Sequence, residues 1–524
     1  MKVREYAKIE KATAASRGEV GRLGTAILFV IAVMIYTGAT FAHVDQLFLL
    51  IAAAVIGAYM AMNIGANDVA NNVGPAVGSF ALTMSGAIVV AAIFEAGGAI
   101  IAGGDVVKTV KNGIIDPANV SDANVFVWVM MGALIGAALW LNVATWLGAP
   151  VSTTHSIVGG VAGGAVAAAG WDVVNWDSIG QIVLSWVVSP VAGGLIAAAF
   201  LYFLKVTVFF KDRQIEAARK VVPLMIGVMT WAFVTYISLK GIKNLVEIGF
   251  TLAMIIGLVA GVAAILIVIP VINRAAPGLE DNRDGVNKLF TIPLIVAAAL
   301  LSFAHGANDV ANAVGPLAGI VDILLEGGAS AGKVGIPLWV MVIGALGISF
   351  GLALYGPKLI RTVGSEITEL DRSRAFCIAL AAAITVIVAS QLGLPISSTH
   401  VALGAVFGVG FLREFLETRL GRVVEDVLHH HDGEKNFALV EKALMEFRNA
   451  PADDKARILA EMKKMGEAAV IDASERKQLQ KSLKRQLVHR ASLMKIVWAW
   501  IITVPISAVL AAMFYFALRG MMLP

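Results

Sequence analysis

The segment Gly65–Pro75 reads GANDVANNVGP, and the segment Gly306–Pro316 reads GANDVANAVGP. Ten of the eleven positions are identical at an offset of 241 residues. Self-similarity at a fixed distance is the sequence signature of an internal repeat, and chance does not produce a pair as close as this one. The chain therefore contains two homologous halves.

A second motif is duplicated at a similar distance. Residues 150–155 read PVSTTH and residues 395–400 read PISSTH, so three hydroxyl residues follow a proline in each half. A weaker third pair, Lys108–Val110 and Arg361–Val363, lies between the two motifs, and its spacing is twelve residues longer in the second half. A glycine-rich insertion near 322–335 accounts for that difference. The order of the motifs is thus the same in both halves.

The composition predicts that these repeats lie in a lipid bilayer. Of the 524 residues 58% are hydrophobic and 15% are charged, and the mean hydropathy is +0.81. Soluble domains are far less apolar on average. Windows of about 20 residues nearly free of charge, the length that a helix needs to cross a bilayer, recur throughout the chain. We predict spans at 25–42, 46–64, 81–103, 124–146, 178–204, 221–239, 246–273, 289–304, 336–357, 375–391 and 495–518. Two further stretches, 150–170 and 395–412, are interrupted by hydroxyl residues, so the number of hydrophobic segments is about 11–13.

Charge predicts the orientation and the domain organisation. Basic residues precede the first span, and Lys and Arg close to spans tend to stay cytoplasmic, so we expect a cytoplasmic N-terminus and a retained first helix. These residues are Lys2, Arg4, Lys8, Lys11, Arg17 and Arg22. Charges of both signs alternate over 413–494, which predicts a soluble, helical, cytoplasmic insertion. The predicted parts are an N-terminal basic segment with an extra helix (1–45), a first membrane repeat (46–205), connecting transmembrane helices (206–288), a second membrane repeat (289–412), the insertion (413–494) and a C-terminal transmembrane helix (495–524).

The GANDVAN motif predicts a polar site inside the membrane. Asn67, Asp68 and Asn71 fall within about one helical turn, and each costs several kcal/mol if it faces lipid. We expect the following Gly-Pro pairs, 74–75 and 315–316, to break the helices. Broken helices duplicated in two halves indicate a transporter site at the repeat interface. The alternative, polar packing residues beside proline kinks, explains one copy more easily than two.

The hydroxyl segments predict an anion site. A helix is expected to begin after each proline, and hydroxyls together with unpaired N–H groups at a helix N-terminus bind anions. Serine and threonine in membrane helices also bond their own backbone, which is the alternative. His155 and His400 either hold the hydroxyl segment by hydrogen bonding or carry a proton.

The two motifs together require a cation. An anion beside Asp68 and Asp309 is repelled by roughly 4 kcal/mol per pair of unit charges at about 4 Å and an effective dielectric near 20. Sodium ions bound by Asp, Asn and backbone oxygens, or protons on the carboxylates, remove that cost. Anion affinity then depends on the cation, because the coupling free energy between two sites is reciprocal.

These motifs, with Ile93-Phe94-Glu95 ahead of Lys108–Val110, resemble the inorganic phosphate transporter family (PiT), which includes bacterial low-affinity phosphate permeases and eukaryotic sodium-phosphate symporters. The resemblance covers about 46–205 and 289–412. It implies inverted repeats, with phosphate and its coupling cations where the duplicated motifs meet. The span count itself leaves inversion open, because it depends on whether 150–170 crosses.

The same resemblance implies the site residues. The substrate set is Asn67, Asp68, Asn71, Ser152, Thr153, Thr154, Asn308, Asp309, Asn312, Ser397, Ser398 and Thr399. The cation-coupling set is Asp68, Asp309 and Glu95, and sodium, if it is the cation, is expected at Asn67, Asp68, Asn308 and Asp309. Glu95 matches a family glutamate important for transport, and its counterpart in the second half falls near Ser349.

We therefore predict an all-α polytopic membrane protein with two homologous, inverted repeats and broken or re-entrant helices. Its predicted function is proton- or sodium-coupled symport of inorganic phosphate by alternating access across the cytoplasmic membrane, the inner membrane if the source is bacterial. Phosphate enters bare or as a metal complex. We expect no cofactor beyond the coupling cation, no catalytic residue and no nucleic-acid partner, and the chain is compatible with a homo-oligomer.

Three alternatives stay open. The closest is a permease for another oxyanion such as sulfate, which carries no proton at neutral pH. An intramembrane hydrolase would use Ser152 or Ser397 with the nearby histidine, but it needs one activated nucleophile, and a duplicated hydroxyl segment fits two-sided binding better. An ion channel would not need duplicated broken helices.

Overall fold

The computed structural model describes residues 2–115, 122–149, 151–241, 248–326, 335–366, 370–416, 426–431, 437–449, 474–475, 479 and 490–522. Over these residues the regular structure is helical, apart from one isolated antiparallel bridge between Ile115 and Val174. The predicted all-α class is confirmed. The helices are α1 (Lys2–Thr40), α2 (Leu47–Asn67), α3 (Val69–Gly78), α4 (Met84–Ala102), α5 (Gly104–Lys108), α6 (Ala123–Leu147), α7 (Thr153–Ala169), α8 (Trp176–Leu204), α9 (Gln214–Lys240), α10 (Phe250–Ala275), α11 (Arg283–Leu289), α12 (Thr291–Asp309), α13 (Ala311–Glu326), α14 (Leu338–Glu366), α15 (Arg372–Gln391), α16 (Ser398–Leu416), α17 (Phe437–Asn449) and α18 (Arg490–Met522).

The chain divides into two compact units. One comprises Met1–Gly408 with Ala491–Pro524 and holds the membrane helices. The other is Val409–Arg490, which overlaps most of the predicted insertion, and its longest described helix is α17. Much of the insertion, including 450–473 and 480–489, lies outside the described residues.

Eleven described helical stretches are long and apolar enough to cross a membrane, which confirms a multi-pass integral membrane protein. They are Glu19–Thr40, Leu47–Gly78, Met84–Ala102, Ala123–Leu147, Trp176–Phe209, Gln214–Lys240, Phe250–Gly278, Thr291–Leu325, Leu338–Pro357, Arg372–Gln391 and Val497–Met521. Two of them extend well beyond the predicted windows 46–64 and 289–304. The polar GANDVAN motif lowers the local hydropathy, so each predicted window ends at the motif. A helix continues beyond the motif in both halves.

The helix breaks lie within the GANDVAN motifs. α2 ends at Asn67 and α3 begins at Val69, while α12 ends at Asp309 and α13 begins at Ala311. The predicted breaks at the Gly-Pro pairs are wrong, because Pro75 and Pro316 lie inside α3 and α13. A proline there removes only one helical N–H donor, which leaves the carbonyl four residues earlier, in Asn71 or Asn312, without its helical partner.

Each hydroxyl segment lies at the tip of a helical hairpin. Gly148 (φ 72°) and Gly393 (φ 69°) adopt the left-handed conformation that ends the first arm of each hairpin, α6 or α15. α7 then runs antiparallel along α6, with Gly160 against Ala133 and Gly164 against Val129. Neither α7 nor α16 is among the eleven candidate spans of the described chain. The antiparallel packing makes α7 the returning arm of the first hairpin, and α16 follows α15 after the corresponding turn at Gly393.

The two halves pack across each other through duplicated contacts. Gly306 of α12 lies against the backbone of Glu95 in α4, and Gly65 of α2 lies in the same way against Ile348 in α14. Neither glycine has room for a side chain, because a Cβ atom would collide with the facing carbonyl group. The structural counterpart of Glu95 is thus Ile348, one residue before the predicted Ser349, so the second half has no carboxylate there.

A further duplicated contact involves the C-terminal helix. Gly404 and Gly408 of α16 lie against Pro190 and Gly194 of α8. Gly159 and Gly163 of α7 lie correspondingly against Val504 and Ala508 of α18. In these contacts α18 takes the position in the second half that α8 has in the first.

Candidate functional site

The two hairpin tips begin with serine-capped helices. Ser152 Oγ accepts a hydrogen bond from the His155 backbone N–H at 3.1 Å, and Ser397 Oγ accepts one from the His400 N–H at 3.2 Å. All four residues are buried. The first two N–H groups of each helix, which precede the histidine, have no intrahelical acceptor, since the first turn of a helix leaves its donors unpaired. Each tip therefore presents N–H donors inside the membrane.

Hydrogen bonds across the repeat interface connect both tips to Asp68. Thr153 Oγ1 donates to Asp68 Oδ2 at 2.6 Å, and Thr399 Oγ1 of the other half donates to Asp68 Oδ1 at 3.1 Å. Asn312 Nδ2 donates to Thr153 Oγ1 at 3.1 Å, and Asn71 Nδ2 donates to Thr399 Oγ1 at 2.9 Å. The result is one continuous chain, Asn312–Thr153–Asp68–Thr399–Asn71, to which both halves contribute residues.

Asp309 holds the corresponding place in the second half with different partners. Ser398 Oγ donates to Asp309 Oδ2 at 2.8 Å, and His305 Nε2 lies 3.0 Å from the same oxygen. Thr154 Oγ1, which also accepts from Asn312, donates to the Ile396 carbonyl at 2.8 Å. The two aspartates are therefore not equivalent, although their motifs are nearly identical.

Two predicted site residues fasten the hairpin tips, and one of them, Asn67, also donates to Asp68 Oδ1 at 3.1 Å. Asn308 Nδ2 donates to Ser390 Oγ at 3.0 Å and to the Leu394 carbonyl at 3.1 Å. The Asn67 amide lies 2.9 Å from Thr145 Oγ1, and with its oxygen accepting there its nitrogen donates to the Val151 carbonyl at 3.2 Å. Both asparagines thus tie a broken helix to its own hairpin.

The centre of the site is rich in oxygen acceptors. Asp68, His305 and Asp309 each offer a ligand atom, and these atoms lie within 4.8 Å of one another. Three buried oxygens nearby, Asp309 Oδ1, Asn71 Oδ1 and Asn312 Oδ1, accept no hydrogen bond from the described residues. Two carboxylates at that separation repel each other by about 3.5 kcal/mol at an effective dielectric near 20. This donor set fits a hard cation or a proton.

A buried polar network occurs on one side of the site only. Glu95 Oε2 lies 2.6 Å from His305 Nδ1, and Asn72 Nδ2 donates to Glu95 Oε1 at 2.7 Å. All three side chains are buried. Their counterparts in the repeat are apolar, namely Ile348 for Glu95, Ile64 for His305 and Ala313 for Asn72. The network connects Glu95 to Asp309 through the imidazole of His305.

Sequence reasoning missed His305 and Asn72. The signal was available for Asn72, because the only mismatch between the two eleven-residue motifs is Asn72 against Ala313. His305 directly precedes the second motif, where the first has Ile64. A comparison of what the repeats do not share would have found both residues.

The two motif histidines meet each other. The rings of His155 and His400 are 4.4 Å apart, and they contact Trp186 at 3.8 Å and Trp500 at 3.6 Å respectively, between ring centroids. The N-termini of the two hydroxyl segments are capped by Ser152 and Ser397. Trp186 adds a hydrogen bond of 3.1 Å to the Pro395 carbonyl in the opposite hairpin.

Broken membrane helices, two facing hairpins and a buried polar centre between duplicated halves define a polytopic membrane transporter. Comparison with known proteins identifies the family. Residues 64–511 match the Phosphate transporter family, and the chain belongs to that family.

Individual relatives agree with this assignment. The chain is 48% identical over 527 residues to a protein of Helicobacter pylori strain J99 named "Putative phosphate permease", and 99% of each chain is covered. It is 40% identical over 370 residues to a protein of Pyrococcus furiosus with a corresponding name, covering 70% of this chain and 88% of the other. A solved structure described as a sodium-dependent phosphate transporter superposes with a TM-score of 0.73 at 32% identity, covering 91% of this chain and all of the other.

Proposed function

We propose that this protein carries inorganic phosphate across the membrane by cation-coupled symport. The observation that supports it best is the hydrogen-bonded chain Asn312–Thr153–Asp68–Thr399–Asn71, because it joins both halves around one buried carboxylate. A site shared in this way makes anion binding, cation binding and the relative position of the halves depend on one another.

Phosphate is proposed to bind between the N-termini of α7 and α16. Unpaired N–H groups and the positive ends of two helix dipoles favour an anion at that position. The hydroxyls of Thr153, Ser398 and Thr399 already donate to carboxylates. The hydroxyl hydrogens of Ser152 and Ser397 therefore supplement the backbone donors in this assignment.

The coupling cation is proposed to bind at Asp68 and Asp309. The oxygens of Asn71, Asn312 and Asp309 that accept no hydrogen bond from the described residues suit sodium, in agreement with the sodium dependence of the structural relative. The Glu95–His305 pair offers a place for a proton instead. Uptake measured under separate sodium and pH gradients distinguishes sodium coupling from proton coupling.

Alternating access follows if the halves are inverted. If the α6–α7 hairpin enters and leaves the membrane on one side, five crossing elements lie between the start of the first half and that of the second, namely α2–α3, α4, α8, α9 and α10. An odd number inverts the second half. Basic residues at 205–213 and 274–288 then lie on the same side as the basic N-terminus, as the positive-inside rule requires.

Phosphate is favoured over sulfate by the acceptor-rich centre. Phosphate keeps an O–H at neutral pH and can donate it to Asn71 Oδ1, Asn312 Oδ1 or Asp309 Oδ1, whereas sulfate cannot. A hydrolase is disfavoured because the imidazoles of His155 and His400 contact tryptophans and each other, so neither is aimed at a serine hydroxyl as a general base.

The test is uptake of labelled phosphate into proteoliposomes that contain the purified chain. Sodium and pH gradients are imposed separately, with sulfate as competitor and with divalent metals present or chelated. We expect concentrative phosphate uptake driven by at least one of the two gradients and little competition by sulfate. Uptake that neither gradient drives, or that sulfate inhibits as well as phosphate does, would contradict the proposal.

A further inference from the structure

The third duplicated motif makes a contact between the two halves that the proposed site does not use. Thr109, the middle residue of Lys108–Val110, donates through Oγ1 to the Gly393 carbonyl at 2.7 Å. Gly393 is the left-handed residue at the tip of the second hairpin, and Thr109 belongs to the first half. Thr109 also begins a π-helical turn, Thr109–Gly113, a rare form that occurs frequently at functional sites. The motif therefore holds the tip of the opposite hairpin.

The tip of the first hairpin has the same turn in more open surroundings. The Gly148 N–H donates to the Thr145 carbonyl, and the Gly393 N–H donates to the Ser390 carbonyl, both at 3.1 Å. A Cβ atom on Gly393 would lie 3.4 Å from Thr109 Oγ1. Among the described residues, a Cβ atom on Gly148 would meet nothing within 4 Å. The third motif thus covers one tip, whereas the described surroundings of the other tip leave it open.

The open tip borders a cavity of about 1020 Å³. Thr145 and Trp146, at the end of α6, line this cavity. Pro357 and Arg361, in the C-terminal part of α14, line it too. Arg361 is the first residue of the second copy of the motif, Arg361–Val363. The elements whose counterparts touch at Gly393 therefore line one cavity here.

The covered tip and the cavity lie toward opposite faces of the membrane. By the crossing order proposed above, α4 ends on the outer side and α14 ends on the cytoplasmic side. Thr109 follows α4, so its contact with Gly393 lies toward the outer face. Glu19 and Arg22, at the start of the first span, also line the cavity, which places it toward the cytoplasmic face. The described conformation is thus the one that faces the cytoplasm.

The segments that carry the two motif copies differ in conformation at one equivalent residue. The copies are related by an offset of 253 residues, so Gly103 corresponds to Gly356. The helix is interrupted at Gly103, between α4 and α5, whereas α14 continues through Gly356. A Cβ atom at Gly103 would lie 2.6 Å from the Ala99 carbonyl oxygen, but at Gly356 its nearest neighbour would be the end of the Leu352 side chain at 2.9 Å. The interrupted form therefore requires glycine, because a backbone oxygen cannot move aside as a flexible side chain can.

The contact at Gly393 can break without leaving the threonine hydroxyl unpaired. Lys240 of α9 adds to the closure, since it pairs with Asp105 and lies 3.4 Å from the Gln391 carbonyl. Thr109 Oγ1 itself lies 3.5 Å from the Asp105 carbonyl, four residues earlier in the chain. Threonine hydroxyls in helices commonly bond to that carbonyl. The hydroxyl therefore has a second acceptor when the bond to Gly393 opens.

We propose that Thr109 is the positioning residue of an outer gate, whose bond to Gly393 holds the outer face closed, and that the helix is interrupted in turn at Gly103 and at Gly356 as the site changes face. This inference rests on the proposed function and specifies how its alternating access is controlled. Alternating access moves one repeat against the other, so each half adopts in turn the conformation that its counterpart has here. In the outward-facing state the helix is continuous at Gly103 and interrupted at Gly356, and the bond between Thr109 and Gly393 is broken.

The test compares water access to the two hairpins from the two faces. Trp146 and Gln391 are equivalent residues at the ends of α6 and α15, so Trp146→Cys reports on the cytoplasmic face and Gln391→Cys on the outer face. Cys377, the chain's single native cysteine, is fully buried, so each of these variants carries one reactive thiol. A membrane-impermeant thiol reagent is applied to each face of oriented proteoliposomes. The measured quantity is the ratio of the outer to the cytoplasmic labelling rate.

Thr109→Val should raise this ratio about two- to tenfold, the effect of one hydrogen bond, because it removes the bond to Gly393 and keeps the size of the side chain. Thr109→Ser keeps the hydroxyl and should keep the wild-type ratio. Thr207→Val is the matched control, since Thr207 also lies in a π-helical turn but donates to the Phe203 carbonyl of its own helix at 2.7 Å. The control should leave the ratio unchanged.

Gly356→Ala should shift the ratio in the other direction. The continuous helix accommodates the added methyl group after a small movement of Leu352, whereas the interrupted form does not, so the variant should stay open to the cytoplasm. We expect the ratio to fall several-fold. Gly180→Ala in α8 is the control, because a Cβ atom there would meet nothing within 4 Å among the described residues. A ratio that rises or stays constant in Gly356→Ala would overturn the exchange of conformations between the halves.

The outcomes distinguish failure of the gate from failure of the proposed function. An unchanged ratio in Thr109→Val, with phosphate uptake by the wild type as proposed, would overturn the gate and leave the proposed function standing. Equal changes in Thr109→Val and Thr109→Ser would also overturn it, because packing rather than the hydroxyl would then set the ratio. The expected shifts in a protein that takes up no phosphate would support the gate and defeat the proposed function.

Discussion

Thr399 Oγ1 donates a hydrogen bond of 3.1 Å to Asp68 Oδ1, although 331 positions separate the two residues. Thr399 belongs to the second hairpin and Asp68 to the first broken helix. A change in the position of one half relative to the other must therefore alter the surroundings of this carboxylate.

Asp68→Asn and Asp309→Asn are each expected to abolish or severely reduce coupled uptake while the protein stays in the membrane. The carboxylates supply the negative charge that a cation needs beside an anion, and an amide keeps the size but removes the charge. Proteoliposome uptake and the cation dependence of binding are measured for each variant. Asp172→Asn, in the 3-10 turn outside the site, is the control. Wild-type uptake with unchanged cation dependence in both variants would refute the role.

Ser152→Ala and Ser397→Ala should weaken phosphate binding by comparable factors. Each loses a hydrogen bond to a charged group worth roughly 1.5–3 kcal/mol, or about ten- to a hundredfold in affinity. Each also loses a helix cap, which lowers stability by about 1 kcal/mol. Ser152→Thr and Ser397→Thr keep the cap and should retain stability. Isothermal titration that finds a normal high-affinity component at half stoichiometry in either alanine variant would show two separate sites instead of one shared site.

Glu95→Gln should change how uptake depends on the coupling cation, whereas Ile348→Leu at the matching position of the other half should leave it close to wild type. Glu95 and His305 are in direct contact at 2.6 Å, so their substitutions should not be additive. A double-mutant cycle with His305→Gln, read from uptake under separate sodium and pH gradients, measures this coupling. Additive effects of the two substitutions would contradict a joint role.

Asp371 is expected to make stability depend on pH. Burial by itself raises its pKa, but Arg374 and Arg283 hold the pKa of Asp371 below its ordinary value. A lowered pKa means that the charged form stabilises the fold above the unfolded value of about 3.9, and that this contribution is lost as the pH falls through the folded value.

Asp371→Asn keeps an oxygen that can cap α15 but loses the charge that pairs with Arg283 at 2.8 Å. We expect a loss of about 1 kcal/mol at pH 7, since the pair is partly exposed, and no loss below about pH 3. Thermal unfolding of the purified protein at several pH values tests this, with exposed Asp284→Asn as the control. A difference between wild type and Asp371→Asn that stays constant down to pH 3 would exclude the charge as its cause.

The insertion is expected to be cytoplasmic and dispensable for substrate recognition. Replacing 417–489 by a short flexible linker keeps the described ends of α16 and α18 and removes a segment that matches nothing in the first half. The apparent affinity for phosphate should stay roughly unchanged in the uptake assay. An altered preference between phosphate and sulfate would show that the segment takes part in recognition.

Several properties of this protein were predictable from its sequence. The membrane class follows from hydrophobic windows, and the division into halves follows from the two near-identical motifs. The family assignment rests on the same motifs, and the family match confirms it. These are properties of short stretches of chain, so they do not depend on how the helices pack.

The tertiary structure decided which polar groups meet. The sequence placed Thr399 and Asp68 in the same predicted site, but it did not show that a hydroxyl predicted to hold the anion donates to the carboxylate instead. Nor did it show that Glu95 meets His305 on one side while Ile348 and Ile64 take those positions on the other. Two nearly identical motifs acquire different partners because side-chain contacts depend on the residues packed around them, and some of those residues differ between the repeats, as Glu95 differs from Ile348 and His305 from Ile64.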